Sequence, residues 1–285
     1  MRATLRKARV IFGVYYAMMI EYRGELFLWA VVMALPLILM GLWTQAATHG
    51  EGFALTATQF ARYFIAVFVI RQFTVVWVIH EFGWLVNSGR LSPQLLVPLD
   101  PGWRFVAAHY GERVARLPMA AGLVGLALLL FPQAVWGAAA DAAAAATAGD
   151  SGVWWPGWRA ILLSWLFMEV AWVARFLLQY TLATAAFWVE RVESVDFLIY
   201  LPYLFLSGMM APLDEFPAAV REVALWTPFP YMVWLPAMLV VEPDRFTTGE
   251  LLRALLVMAG WIAVFYAVNR WAWRRGIRHY SAMGA

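Results

Sequence analysis

Residues 207–220 read SGMMAPLDEFPAAV and follow directly on the apolar run VDFLIYLPYLFL at 195–206. Gly208 and Pro212 halt the hydrophobic segment. Pro217 then opens a short acidic-fronted helix before a second apolar run, PFPYMVWLPAMLVV at 228–241. That second run has 14 residues and three prolines, whereas about 20 residues of helix are needed to cross about 30 Å of hydrocarbon. Whether 208–241 crosses a membrane or turns back decides the fold.

Composition fixes the solvent. Hydrophobic residues make up 64% of the 285 and charged residues 14%, against roughly 25% charged in an ordinary soluble domain. The chain reads as an all-α polytopic membrane protein. It has no cysteine, which excludes disulfides, thiolate catalysis and cysteine-based zinc or iron–sulfur sites. The net charge of +3 does not point to nucleic acid, because the arginines fall in short clusters between apolar runs.

Working outward, six apolar runs are long enough to be spans: 25–46, 59–86, 115–136, 158–189, a fifth beginning near Val195, and 251–273. The last follows TTGE, in which Thr247 and Glu250 have capping-box spacing. Basic residues mark alternate loops: Arg2, Arg6, Lys7, Arg9 and Arg23 at the start, Arg90, Arg104 and Arg113 after the second span, Arg191 after the fourth, and Arg270, Arg274, Arg275 and Arg278 at the end. The other loops are acidic, with Glu51, then Asp141 and Asp150, then Asp214, Glu215, Glu222, Glu242, Asp244 and Glu250 against Arg221 and Arg245. The positive-inside rule therefore predicts both termini in the cytoplasm. A crossing at 228–241 would put the acidic EPDRFTTGE inside and the basic C-terminus outside. Residues 208–241 are expected instead to dip into the outer leaflet and return, which requires a packed partner or a water-lined path for the broken backbone. Residues 1–22 read as an interfacial helix, with Arg2, Arg6 and Arg9 on one face and Leu5, Phe12, Tyr16 and Met19 toward lipid. A signal peptide is the competing reading, but no small-x-small cleavage site follows.

The stretch LSGMMAPLDEFPAAVREVALWTPFPYMVWLPAMLVV, residues 206–241, resembles the C-terminal signature of ABC-2 type permeases, the membrane subunits of a class of ATP-binding-cassette exporters. Ser207, Gly208, Pro212, Phe216, Pro217, Pro228, Phe229, Tyr231 and Pro236 fall in that order. GRLSPQLLVPLDPGWRFVAAHYGER, residues 89–113, is similar to the loop of a subfamily of these permeases. The resemblance implies a single six-span permease domain over 1–285, paired with a second copy or a related permease on two cytoplasmic ATPase subunits. It also implies outward transport of an amphipathic, lipid-linked, glycan or drug-like substrate across a bacterial inner membrane. ATP and magnesium would then sit on the partner ATPase, with no cofactor on this chain. The sequence agrees, since its one lysine, Lys7, lies in LRKAR with no glycine-rich phosphate loop. The chain is expected not to be an enzyme by itself.

Three sets of residues are singled out. Prolines 93, 98 and 101 stiffen the 89–113 segment, so Leu95, Leu96, Leu99, Asp100 and Pro101 are the expected contact with the ATPase. Arg71 and Glu169 lie at similar depth in the second and fourth spans and are expected to pair, with Arg175 as a rival for Glu169. Phe216, Trp226, Phe229, Tyr231 and Trp234 are expected to close the outer mouth, or else to anchor the outer interface. HEFGW at 80–84 begins like a zinc-protease motif, but Trp84 stands where the second histidine is required. An ion-coupled carrier is the alternative function, yet no internal repeat is visible. An intramembrane enzyme would need a catalytic cluster, and none assembles from these residues.

Overall fold

The structure, a computed structural model, describes residues 2–137 and 154–280, without the side chains of residues 2–5, 7–9 and 193. The expectations placed on Leu5, Arg2, Lys7 and Arg9 as side chains, and on Asp141 and Asp150, lie outside the described residues. Among the described residues the secondary structure is helical and no strand occurs.

The chain runs through α1 (Arg2–Glu21), α2 (Arg23–Val32), α3 (Leu35–His49), α4 (Ala57–Thr74), α5 (Val78–Asn87), α6 (Leu91–Leu95), α7 (Pro101–Leu130) and α8 (Gln133–Trp136). It continues with α9 (Gly157–Ala183), which tightens into a 3₁₀ turn at Thr184–Phe187, then α10 (Glu193–Leu206), a 3₁₀ turn at Leu213–Glu215, α11 (Ala218–Leu225), α12 (Phe229–Met232), α13 (Trp234–Val241) and α14 (Thr248–Gly276). Five stretches are long and apolar enough to cross a membrane: Arg23–His49, Ala57–Asn87, Pro101–Leu130, Gly157–Phe187 and Thr248–Gly276. The fifth expected span appears as α10, of 14 residues, shorter than about 20.

The breaks have local causes. Thr56 caps α4 and Thr247 caps α14, each in a capping box with Gln59 or Glu250, which satisfies two free N–H groups per helix start. The helical stretch 57–87 is interrupted at Val75–Trp77, where His109 Nε2 accepts from the Trp77 N–H at 2.8 Å. The third span starts far earlier than expected. Asp100 caps it by accepting from Gly102 N–H at 2.9 Å, with Pro101 in the first turn, where its missing N–H costs nothing. The helix therefore takes in residues 101–113, and of the expected cytoplasmic loop residues 89–90 and 96–100 remain as turns on either side of α6.

Two apolar cores share α9. One gathers Phe60, Phe64 and Val67 of α4 with Phe167 and Ala171 of α9, Met238 of α13 and Met258 of α14. The other gathers Phe82 of α5, Phe105 of α7, Trp172, Phe176 and Tyr180 of α9, and Phe187. The N-terminal helix α1 lies along α7. A Cβ on Gly111 would sit 3.1 Å from Tyr16 N and 3.3 Å from Tyr15 C, so the two helices meet at a glycine. On α1, Phe12, Tyr16 and Met19 are half-buried, while Val10, Val14 and Met18 are exposed.

Candidate functional site

The 207–241 segment is held from three sides, by α3, α4 and α9. Gly208 turns at φ 87°, a conformation glycine adopts without a Cβ penalty. Its carbonyl accepts from Tyr63 Oη of α4 at 2.7 Å, and Trp43 Nε1 of α3 donates to the Met210 carbonyl at 3.0 Å. Ser164 Oγ of α9 donates to the Pro236 carbonyl at 2.8 Å, and Trp234 N–H donates to the Ser207 carbonyl at 2.9 Å. These bonds satisfy backbone that the prolines and the turn leave unpaired, at the site where chain breaks within an apolar bundle are otherwise costly. Residues Trp234–Leu239 are buried throughout.

The five aromatics expected at an outer mouth are divided by this packing. Tyr231 and Trp234 are core residues, each 6% exposed; Tyr231 Oη donates to the Leu225 carbonyl at 2.8 Å and Trp234 Nε1 to Asp214 Oδ2 at 3.0 Å. Phe229 meets Tyr203 edge-on, Phe216 is half-buried, and Trp226 is exposed beside Arg253. Asp214 also pairs with Arg245, which reaches Glu242 at 3.1 Å. Burial works against the Arg245 charge, but the hydrogen bond and charge of Asp214, with Glu242, outweigh it and raise its pKa.

Within the bundle the structure rearranges the expected charge pairing. Glu169 of α9 pairs with Arg113 of α7 and accepts from Tyr110 Oη at 2.9 Å. Arg116, 1% exposed, pairs with Glu112 one turn away. Arg71 does not reach Glu169. It lies within electrostatic range of Arg175, Tyr200 and Tyr203, and Arg175 donates to Tyr203 Oη at 2.7 Å with its guanidinium over the same ring. The physical reason is the length of α7: because that helix begins at Pro101, Arg113 enters the bundle and takes the carboxylate. Sequence reasoning missed Arg113 by placing it in a loop. The spacing of Tyr110, Arg113 and Glu112–Arg116 at one-turn intervals was the available signal.

The residues expected to contact an ATPase lie around the 96–100 turn. Leu96 is 87% exposed, Leu95 and Leu99 are half-buried, and Pro101 is buried. Asp100 pairs with Arg270 of α14 at 3.2 Å, tying this turn to the last helix. His80 and Glu81 line a cavity of about 470 Å³ with Trp29, Trp77 and Glu112. No group of three potential ligands converges on a metal among the described residues.

Residues 151–284 match the family model described as ABC-2 family transporter protein. With the five apolar spans, that match supports an ABC-2 type permease, a membrane transport protein. The family implies association with an ATP-binding-cassette ATPase. A search of the curated proteins finds no match.

Proposed function

We propose that this chain is the membrane subunit of an ATP-driven exporter, with ATP hydrolysed on separate subunits. The observation that carries the reading is the ABC-2 transporter match over 151–284. In this reading α10 supplies the sixth crossing, residues 208–241 form a re-entrant element on the outer side, α1 lies at the inner interface, and both termini are cytoplasmic. The charge alternation between loops supports that orientation. Two copies, or this chain and a related permease, enclose the pathway in a bacterial inner membrane.

The 96–100 turn is the proposed contact with the ATPase, with exposed Leu96 as its tip. Its link through Asp100 and Arg270 to a 29-residue helix supplies a stiff element along which nucleotide-driven movement passes into the bundle. The outward cargo is an amphipathic, lipid-linked, glycan or drug-like molecule. Exposed Trp226, with half-buried Phe216 and Phe229, is the proposed contact with a second subunit, whereas Tyr231 and Trp234 hold the segment together.

Transport into everted membrane vesicles tests the reading. Uptake that requires ATP and survives collapse of the proton gradient is the expected result. Uptake that ignores ATP and stops with an ionophore would instead establish an ion-coupled carrier.

A further inference from the structure

Wrapped by α7, α9 and α14, a cavity of about 560 Å³ opens beside the 96–100 turn. That volume lies in the range of small-molecule sites, roughly 300–1,000 Å³. One wall is an aromatic ladder on α9, in which Trp172, Phe176 and Tyr180 recur every four residues and therefore share a face. Trp172 and Phe176 stack with ring centroids 5.3 Å apart, and Phe176 lies 5.7 Å from Tyr180. Tyr110 meets Trp172 edge-on at 4.7 Å. Across from the ladder stand Trp103 and Tyr266, 63% and 56% exposed, so the mouth faces the surroundings of the bundle.

One polar group in this lining is unsatisfied. Asn269 of α14 is 3% exposed, and its Nδ2 has no hydrogen-bond partner. A buried donor left unpaired costs about 1–3 kcal/mol, and native structures seldom keep one without a reason. Tyr110 Oη donates to Glu169, and Asp100 and Arg270 neutralise each other at the rim. The cavity thus combines two accessible aromatic side chains, Trp103 and Tyr266, beside a buried aromatic ladder, with no net charge and one amide N–H without an acceptor.

We propose that this cavity is a binding site for a neutral, planar aromatic amphiphile that carries a hydrogen-bond acceptor, taken by Asn269 while its rings pack against Trp103 and Tyr266 at the edge of the α9 ladder. Aromatic pairs contribute beyond their buried area, and the acceptor fixes orientation. The site adjoins the turn proposed to contact the ATPase, so an occupant bears on the Asp100–Arg270 link. That the occupant is export cargo rests on the exporter reading; that the site binds does not.

Benzophenone is a suitable probe, being aromatic, neutral and a carbonyl acceptor that cross-links on irradiation. The full-length chain in membrane vesicles is irradiated with it without ATP, and labelled residues are located by mass spectrometry. Saturable labelling concentrated at Trp103, Phe176 and Tyr266 is expected. It should fall about tenfold in Asn269→Leu, the affinity equivalent of one hydrogen bond to a buried donor. It should fall likewise in Val173→Trp, which fills the cavity from its edge and carries the test if Asn269→Leu does not fold. Labelling of the outward-facing Leu129 and Leu256 should not change. Wild-type labelling of the cavity no stronger than that of Leu129 and Leu256, or labelling unchanged in a folded variant, would overturn the site. Because ATP is not used, loss of the site leaves the exporter reading standing, and absence of an ATPase leaves the site standing.

Discussion

Arg113 of α7 and Glu169 of α9 form an ion pair within the apolar bundle, and the Tyr110 hydroxyl donates to the same carboxylate. Neither side chain is more than 22% exposed. Removing one partner leaves an uncompensated charge in a poorly solvated place, whereas removing both leaves none. Arg113→Leu or Glu169→Leu should each destabilise the protein by about 3–5 kcal/mol. The double variant should lose less than either single one, measured by thermal unfolding in nanodiscs. Additive losses would show that the two residues act independently.

Gly208 sits where a side chain does not fit. A Cβ there would lie 2.5 Å from Tyr63 Oη and 2.7 Å from Trp234 Cβ, at φ 87°. Gly157 has φ 81° but open space around it, so it isolates the backbone contribution. Gly208→Ala should lower stability by about 2–4 kcal/mol through overpacking and left-handed strain together. Gly157→Ala should cost about 1–2 kcal/mol by strain alone. Equal shifts in unfolding temperature would contradict the packing around Gly208.

Asp100 and Arg270 are 44% and 38% exposed, so their ion pair is worth about 0–1 kcal/mol. Asp100→Lys also removes the α7 cap, so it should cost about 0.5–2 kcal/mol of stability while uncoupling ATP hydrolysis from transport in the folded protein. An Asp100→Lys variant whose transport-coupled ATPase activity equals the wild type would remove the 96–100 turn from the coupling path.

Burial raises the pKa of Glu215 above the usual carboxylate value, against the backbone N–H groups of Ala54 and Leu55 that lower it, with Asp214 adding to the rise. The folded state then holds this proton more tightly than the unfolded chain does. Stability attributable to Glu215 is therefore present at low pH and declines as pH rises from the unfolded to the folded pKa. Glu215→Gln should flatten that decline in an unfolding-temperature profile against pH; an unchanged slope would assign it to other groups.

Much of this architecture is legible in the residues. The long spans announce themselves by length and apolarity, the capping box at Thr247 and Glu250 by spacing, and the turn at Gly208 by glycine and proline placement. Other features depend on contacts between segments far apart in the chain. Pro101 reads equally as a loop proline and as the first residue of a helix, and only the capping bond from Gly102 to Asp100 settles it. The fate of Arg113 follows from that choice, and with it the partner of Glu169. The short α10 shows the same limit from the other side, because Val195–Leu206 is apolar enough for a span but stops at Ser207. The aromatic ladder at 172, 176 and 180 is visible as spacing alone, but its cavity appears only when α7 and α14 close around it.

The most direct test of the central claim is affinity purification of the full-length chain from its native membrane in mild detergent, with intact-mass identification of the proteins that accompany it in stoichiometric amount. An ATP-binding-cassette ATPase, with or without a second permease, is the predicted companion. Repeated recovery of the chain alone, with ATP having no effect on its stability or activity, would contradict the account.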